Sequence, residues 1–494
     1  MAKIIKGEVT NNVAEMGSER ESAASHTLII KNDAIGSIDY IYGDIPDQAY
    51  YNDTSVEAVI FGTSCKRIGV QAFQHTSGTN VGPHFPNGLK IPSQIVEIGY
   101  DAFSGCDRIF GNIEYTNENL QIAGYADSVA FNNCPNITGT VLPSGVTRVP
   151  PGAFTNQASV TDLSVLPAGI TKLGGAAFRG CTNLTGNLTI PNIELEGEAH
   201  FAYCTGINSF IFSEGIQNIP DYFFYFYASS PGALSSLTFP STLKSIGEFA
   251  FTFLSNCSTP TFPNGLESID KYAFYYCDGF TGTLTIPDSV TNIGERAFYA
   301  CNINEIIIPN TINLQLLTDC FSATQITSFT IPSSVEILDQ GCLRYCYSLS
   351  TIDFAPNSSL RAISNNAFES CISLDTIVLP DNVTRVGAFS NSNNFIYYNA
   401  DEDRDSFLYR NIDADGEVFK NCTSLANLYI GPNLPAENWH TGWDSGGTKG
   451  NFVGVPSTCN IYVHPDVYSG YDSDWKTRNE FTGTVIEWTN YPNA

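Results

Sequence analysis

The sequence predicts a β-rich solenoid: leucine-rich repeats of about 23–24 residues, one short strand per repeat in a parallel sheet, a mostly irregular or short-helical return side, and a cap at each end. Three observations predict it. A phenylalanine column runs Phe73, Phe103, Phe131, Phe154, Phe178, Phe201, Phe224, Phe251, Phe274, Phe298, Phe321, Leu343, Phe368, Phe419, and from Phe131 to Phe368 its steps lie between 22 and 27 residues. An apolar-x-apolar-Pro element precedes most of these positions, as in Leu284-Thr285-Ile286-Pro287. A cysteine follows three residues after many of them, at Cys106, Cys134, Cys181, Cys204, Cys277, Cys301, Cys371 and Cys422.

Each element of the repeat has a physical reason. Apolar-x-apolar is a period of two, so it reads as a strand with one face inward. Proline follows at Pro92, Pro143, Pro167, Pro191, Pro240, Pro263, Pro287, Pro309, Pro332 and Pro380. It lacks the N–H a ladder needs and ends the strand. The apolar residue three places on (Val290, Val335, Val383) and the Ile of the following Ile-Gly turn inward. The glycines of that pair, Gly69, Gly99, Gly174, Gly247, Gly294 and Gly387, fit a turn that needs positive φ or a close approach of backbones. Ala-Phe then plugs the coil. No ten-residue stretch of helical period lies within a repeat, so full helices are not expected on the return side. Of the 14 cysteines, nine recur at one place in the frame, the eight above and Cys346 after Leu343. They read as one buried thiol per turn rather than as bridges. No Cys-x-x-Cys pair is present, which argues against a zinc site.

This pattern resembles the BspA-like, or treponemal-type, leucine-rich repeats over about residues 55–431. The segments Cys459-Asn-Ile-Tyr-Val-His-Pro, Val467-Tyr-Ser-Gly-Tyr and Thr484-Val-Ile-Glu-Trp are similar to the closing cap of that family. The resemblance implies adhesion and protein binding on bacterial, protist or phage surfaces, and no catalysis. The expected organisation is an N-terminal cap or docking segment over 1–54, the solenoid over 55–431, and a Trp-rich loop with C-terminal cap over 432–494.

Four places depart from the frame, and function concentrates where a scaffold breaks its own rule. Residues 1–54 show no repeat and read as a cap, or as a segment that docks to a larger assembly such as a virion protein. Residues 107–130 read as a degenerate coil. Residues 388–416 form an acidic insertion with Tyr397, Tyr398 and Tyr409 among Asp401, Asp403, Asp405, Asp413 and Asp415. Asn411-Ile-Asp413-Ala-Asp415-Gly416 is similar to the start of a calcium loop, although Cys422 stands where the bidentate Glu belongs. A solvated acidic loop is the alternative. In the fourth place, 433–458, Trp439 and Trp443 either stack on a sugar or anchor a protein partner, or plug the open coil.

The central residue of each strand points outward: Ile60, Lys90, Val141, Val165, Thr189, Ile211, Thr238, Thr261, Thr285, Ile307, Thr330, Asp353, Val378 and Tyr429. Eleven of these fourteen are Val, Ile or Thr. Two residues earlier runs a small polar column: Asn187, Ser209, Ser236, Thr283, Ser328, Thr351, Thr376 and Asn427. β-propensity accounts for such a stripe. So does an interface core, which is depleted in charge. At strand spacing fourteen turns would extend the stripe to ~65 Å, with Thr238, Thr285, Ile307 and Thr330 as candidate contacts.

The net charge of −27 argues against nucleic acid and against an anionic membrane surface. No run reaches the length of a membrane span. The six histidines are scattered, and no nucleophile elbow, phosphate loop or His-Glu-x-x-His is present, so no enzyme is expected. The N-terminus lacks an apolar h-region and a small-residue cleavage site, which reads as no secretory signal. Three settings follow: a virion component such as a tail or head fibre, a surface adhesin of a bacterium or protist, and an intracellular interaction scaffold. The partner expected is a protein or a cell-surface glycan, and no cofactor is required beyond the calcium the insertion would take.

Overall fold

The computed structural model describes residues 3–7, 25–32, 36–76, 78, 81–117, 120–122, 129–143, 145–226, 232–308, 315–316, 318–387, 417–440, 442–444 and 447–488. Two compact units make up the chain, Met1–Pro240 and Ser241–Ala494. Each is built mainly as a coil of parallel β-strands, with only short helices among the described residues.

The repeat frame translates directly into one turn of coil. The apolar-x-apolar segment forms the first strand: Leu89–Ile91, Gly186–Ile190, Ser328–Ile331. Its proline is the first residue of a tight turn. The carbonyls of Pro92, Pro143, Pro263, Pro287, Pro332 and Pro380 each accept from the amide three residues later, between 3.0 and 3.2 Å. That amide belongs to the inward apolar residue, so the turn delivers it to the core. Two residues of the Ile-Gly segment then form a second parallel ladder that the sequence did not disclose. In the first unit Arg67–Ile68 pairs with Glu97–Ile98, and Arg148–Val149 with Lys172–Leu173. In the second, Ser268–Ile269 pairs with Asn292–Ile293. A third tie joins the turns at the phenylalanine. The amide of Phe73 donates to the Ala102 carbonyl at 2.7 Å, and that of Phe274 to Ala297 at 2.8 Å. Three ladders per turn satisfy the backbone groups that a coil without helices would otherwise bury unpaired.

The core is a file of aromatic rings. Phe73, Phe103 and Phe131 stack at 5.2 and 5.1 Å, and Phe154, Phe178 and Phe201 at 5.0 and 5.2 Å. In the second unit Phe251, Phe274, Phe298 and Phe321 stack at 5.7, 5.4 and 5.8 Å. Every residue of the phenylalanine column is buried. All fourteen cysteines are free and buried. Nine of them donate to the carbonyl of the preceding turn's column residue, as Cys204 to Phe178 at 2.9 Å, Cys277 to Phe251 at 3.2 Å and Cys422 to Phe368 at 3.1 Å. The thiol is therefore a rung of the return side as well as a small apolar filler.

Several expectations are corrected. The Ile-Gly glycines are not among them: of the two roles expected for them, most serve close approach, and a Cβ on Gly294 would lie 2.4 Å from the Lys271 amide nitrogen. Gly387, with φ +98°, is the exception. Leu163–Val165 is a 3-10 turn, so Val165 is not a strand centre; Asp162 accepts from the Ser164 amide and caps the turn. No strand forms around Thr261, where Pro260 and Pro263 remove two ladder donors. Residues 1–54 include a turn of the coil: Ile45 bridges Ile68 in parallel, and Tyr50 stacks on Phe73 at 5.5 Å. Three strands of that segment join Val56–Ile60 in an antiparallel sheet in the order Lys3–Gly7, Ile38–Tyr42, His26–Lys31, Val56–Ile60. The loose spelling at 107–130, with Ile113-Glu-Tyr115 as its expected strand, does form that strand, over Gly111–Tyr115. Past residue 431 the coil continues, with Trp439 paired to Val386 and Phe452 stacked on Phe419 at 5.4 Å. Asn460–Val463, two short helices and the last strand, Thr484–Glu487, then follow in the order the resemblance implies.

Candidate functional site

The outward face of the first ladder is built by the alternation of each strand. In Ser328–Ile331 the residues Phe329 and Ile331 are buried while Ser328 and Thr330 are exposed. The same alternation exposes Thr189 and Ile211 in the first unit and Thr285 and Ile307 in the second, with Ile307 46% exposed. Thr238 is exposed and in register with Ile211. Thr285 and Ile307 are register partners, and Thr330 is the register partner of Asp353. The structure thus brings Thr285 and Ile307 together on one unit and places Thr238 on the other. The small polar column is exposed or half-buried except at Ser209, which is buried. Ser209 donates to Asn187 Oδ1 at 2.8 Å and is walled in by its register partners Asn187 and Ser236.

Charge is distributed unequally between the two ladders. On the first-ladder face Lys90 pairs with Glu114, and Glu305 accepts from Thr283 at 2.7 Å. The second ladder and its flanks carry charge turn after turn. In the first unit Arg67 meets Asp47 and Glu97 at 2.8 and 2.9 Å, and Arg148 and Lys172 meet Glu196 at 2.6 and 3.0 Å. In the second, Lys244 meets Glu267 at 2.8 Å, and Arg361 meets Glu336 at 3.0 Å. Burial alone would raise the Glu196 pKa, but the Arg148 and Lys172 cations overcome it and hold the carboxyl below its ordinary value. Exposed pairs of this kind add little stability. Their consequence is that this side's charges are neutralised by each other.

The remaining candidates fall differently. Trp439 is 2% exposed; its ring meets Phe419, Phe452 and Trp475, and its indole N–H donates to Tyr471 Oη at 2.9 Å. It closes the coil and offers no ring to a ligand, which corrects its expected contact role. Trp443 lies in the strand Gly442–Asp444 of a hairpin with Gly447–Lys449. Trp475 and Trp488 are buried. Tyr397, Tyr398, Tyr409, Asp401, Asp403, Asp405, Asp413 and Asp415 lie outside the described residues. Among the described residues no cluster of three or more His, Cys, Asp or Glu is arranged to hold a metal ion, and no helix is long and apolar enough to cross a membrane. Sequence reasoning missed Tyr462, the register partner of Tyr429, whose ring stacks on it at 4.5 Å. The signal was available in the shared Asn-x-Tyr spelling of Asn427–Ile430 and Asn460–Val463.

No curated protein matches the chain. Among solved structures, a leucine-rich repeat protein from Bacteroides ovatus is similar in fold, at 21% identity and a TM-score of 0.57, over 82% of this chain and 92% of that one. A leucine-rich cell surface protein from Faecalibacterium prausnitzii matches at 19% identity and a TM-score of 0.36, over 84% and 95%. The pneumococcal vaccine antigen PcpA matches at 14% identity and a TM-score of 0.32, over 86% and 85%. The BspA type leucine rich repeat region matches residues 43–185, 125–231, 226–282 and 272–396, in six copies. With the repeat covering most of its length, the chain belongs to the BspA-type leucine-rich repeat family.

Proposed function

We propose that the chain is a non-enzymatic recognition protein that acts in adhesion, laying the outward face of its first strand ladder against a protein partner. The observation that carries this reading is the contrast between the ladders. One face is polar, β-branched and nearly free of charge, while the charges of the other are paired among themselves. A surface core depleted in charge is what a protein interface presents. A cell-surface glycan is the second candidate for this face, since the exposed hydroxyls of Thr189, Thr285 and Thr330 can donate to and accept from sugar hydroxyls. The family favours a role outside the cell on a bacterial surface; neither the fold nor the comparisons speak for a virion.

Immunogold electron microscopy of the native producing culture, with antibody against residues 55–431, tests the setting. Gold on the cell envelope is the expected result. Gold on phage particles would move the protein to a virion and make residues 1–54 a docking segment. Gold confined to the cytosol would overturn adhesion and leave an internal scaffold.

A further inference from the structure

In most turns two positions, two residues before and two after the column phenylalanine, adopt left-handed backbone. Around Phe154 they are Gly152 and Asn156, around Phe178 Ala176 and Gly180, and around Phe368 Asn366 and Ser370. Glycine and, less fully, asparagine suit this conformation, while other residues pay ~1–2 kcal/mol for the clash of their Cβ with backbone. In the second unit the same positions carry Phe249 (φ +50°), Phe253 (+56°), Tyr272 (+58°) and Tyr276 (+56°). Tyr275 and Tyr299 stand one residue past their column phenylalanine, where the turn of Phe131 has Asn132. Tyr203, Tyr222 and Tyr345 stand singly at such sites in other turns, while the turns of Phe154, Phe178 and Phe368 close without any aromatic residue there. The aromatics are therefore not required by the turn, and they are kept at a conformational disadvantage.

They form one belt. Phe249 stacks on Tyr272 at 4.5 Å, Phe253 on Tyr276 at 5.5 Å, and Tyr275 on Tyr299 at 5.4 Å. Arg296 lies over Tyr272 and Tyr299, at 5.8 and 6.0 Å, and donates to Tyr272 Oη and Asp319, each at 3.1 Å. Tyr276 is 41% exposed, and the other tyrosines are half-buried. Rigid tyrosines with arginine are the composition of protein–protein hot spots. Because the rings cover one another's faces, they present edges and hydroxyls to solvent, which suits polypeptide carbonyls and amides rather than the flat face of a sugar. Charge selects the partner. Arg296 is neutralised by Asp319, the exposed Asp278 follows in the turn of Tyr276, and the unit's acidic residues outnumber its basic ones by more than two to one. A second copy of the chain would bring like charge to the belt.

We infer that this tyrosine belt, centred on Tyr272, Tyr275, Tyr276 and Tyr299, is a second docking surface, separate from the strand face, and that its partner is a basic polypeptide segment. The test selects random peptides displayed on phage against the whole chain. Selected peptides are then titrated against the variant Tyr275→Asn, Tyr276→Asn, Tyr299→Asn, and against the strand-face variant Thr285→Lys, Ile307→Lys, Thr330→Lys. Enriched peptides of net positive charge, binding the belt variant at least tenfold more weakly and the strand-face variant unchanged, are expected. Asn suits the left-handed backbone at position 276, so Tyr276→Asn alone is expected to keep the thermal midpoint and still weaken binding; it stands in if the triple variant fails to fold. No enrichment, enrichment of neutral or acidic peptides, or equal binding by the belt variant would overturn the inference. So would peptides lost only by the strand-face variant, or a glycan-array signal lost only by the belt variant.

Discussion

His200 occupies the slot before the column phenylalanine that alanine fills in other turns, such as Ala273 and Ala297. It is fully buried, its Nε2 lies 3.2 Å from the Leu173 carbonyl, and its Nδ1 has no partner. Burial pushes its pKa down to about 4, against weaker opposing contacts from the Leu173 and Glu196 carbonyls. The unfolded chain therefore binds the proton first as pH falls. The stability that neutral His200 supports is complete above its ordinary value of about 6.5 and declines toward pH 4, by an amount on the order of 3 kcal/mol. Urea unfolding at pH 7.5 and pH 5 is expected to show a smaller acid loss for His200→Ala than for the natural chain, by about 2 kcal/mol. Parallel losses would mean the imidazole is hydrated in the fold. The thiols give a second residue-scale expectation. Burial raises the Cys181 and Cys257 pKa values to about 12. A thiol reagent should label fewer than one cysteine in the time that the guanidine-unfolded chain yields all fourteen. At this scale the sequence was informative about type and silent about conformation. Phe-x-x-Cys announced one buried thiol per turn. Nothing in Tyr272 or Arg296 announced a left-handed backbone, because alanine, asparagine, arginine and tyrosine all occupy that position.

At the scale of the element, each turn holds its neighbours through the three ladders and the stacked ring. Phe274 meets Phe251 and Phe298 at 5.7 and 5.4 Å and is wholly buried. Phe274→Ala is expected to destabilise its region by about 3–5 kcal/mol. Coupling in a solenoid is chiefly between nearest neighbours. Hydrogen exchange should therefore quicken in the turns around residues 250–300 and stay unchanged in the antiparallel sheet at the N-terminus. Acceleration spread evenly over the chain would argue that the coil unfolds as one unit. The first strand was legible because three or more residues display a period of two, with proline to mark the end. The second ladder was not, since two residues such as Ser268–Ile269 are too few to show any period. The added turns were missed for a related reason: Tyr50 stands for Phe at the start, and an Ile-Gly element is spelled Trp439-His440 near the end.

For the whole molecule, the account separates a coil that the repeat dictates from surfaces it leaves free to vary. Uniform packing inside explains how the frame stays constant through Phe131 to Phe368 while the outward residues change from Thr to Ile to Asp. The fold class was therefore open to reading from spacing alone. The candidate site was open only in part. Alternation identified which residues face outward, but the contrast that gives the first ladder its meaning depends on ion pairs such as Arg148 with Glu196, 48 residues apart. Pairing at that distance follows from register, which the sequence does not spell out. The direct measurement is binding of the whole chain to arrays of extracellular proteins and of glycans, compared with the variant Thr285→Lys, Ile307→Lys, Thr330→Lys and with the second-ladder variant Lys244→Ala, Glu267→Ala. Saturable binding to a protein, weakened at least tenfold by the three lysines and unchanged by the second pair, is the predicted result. Binding that survives the lysines, or that is lost only with the second ladder, would contradict the strand face as the recognition surface.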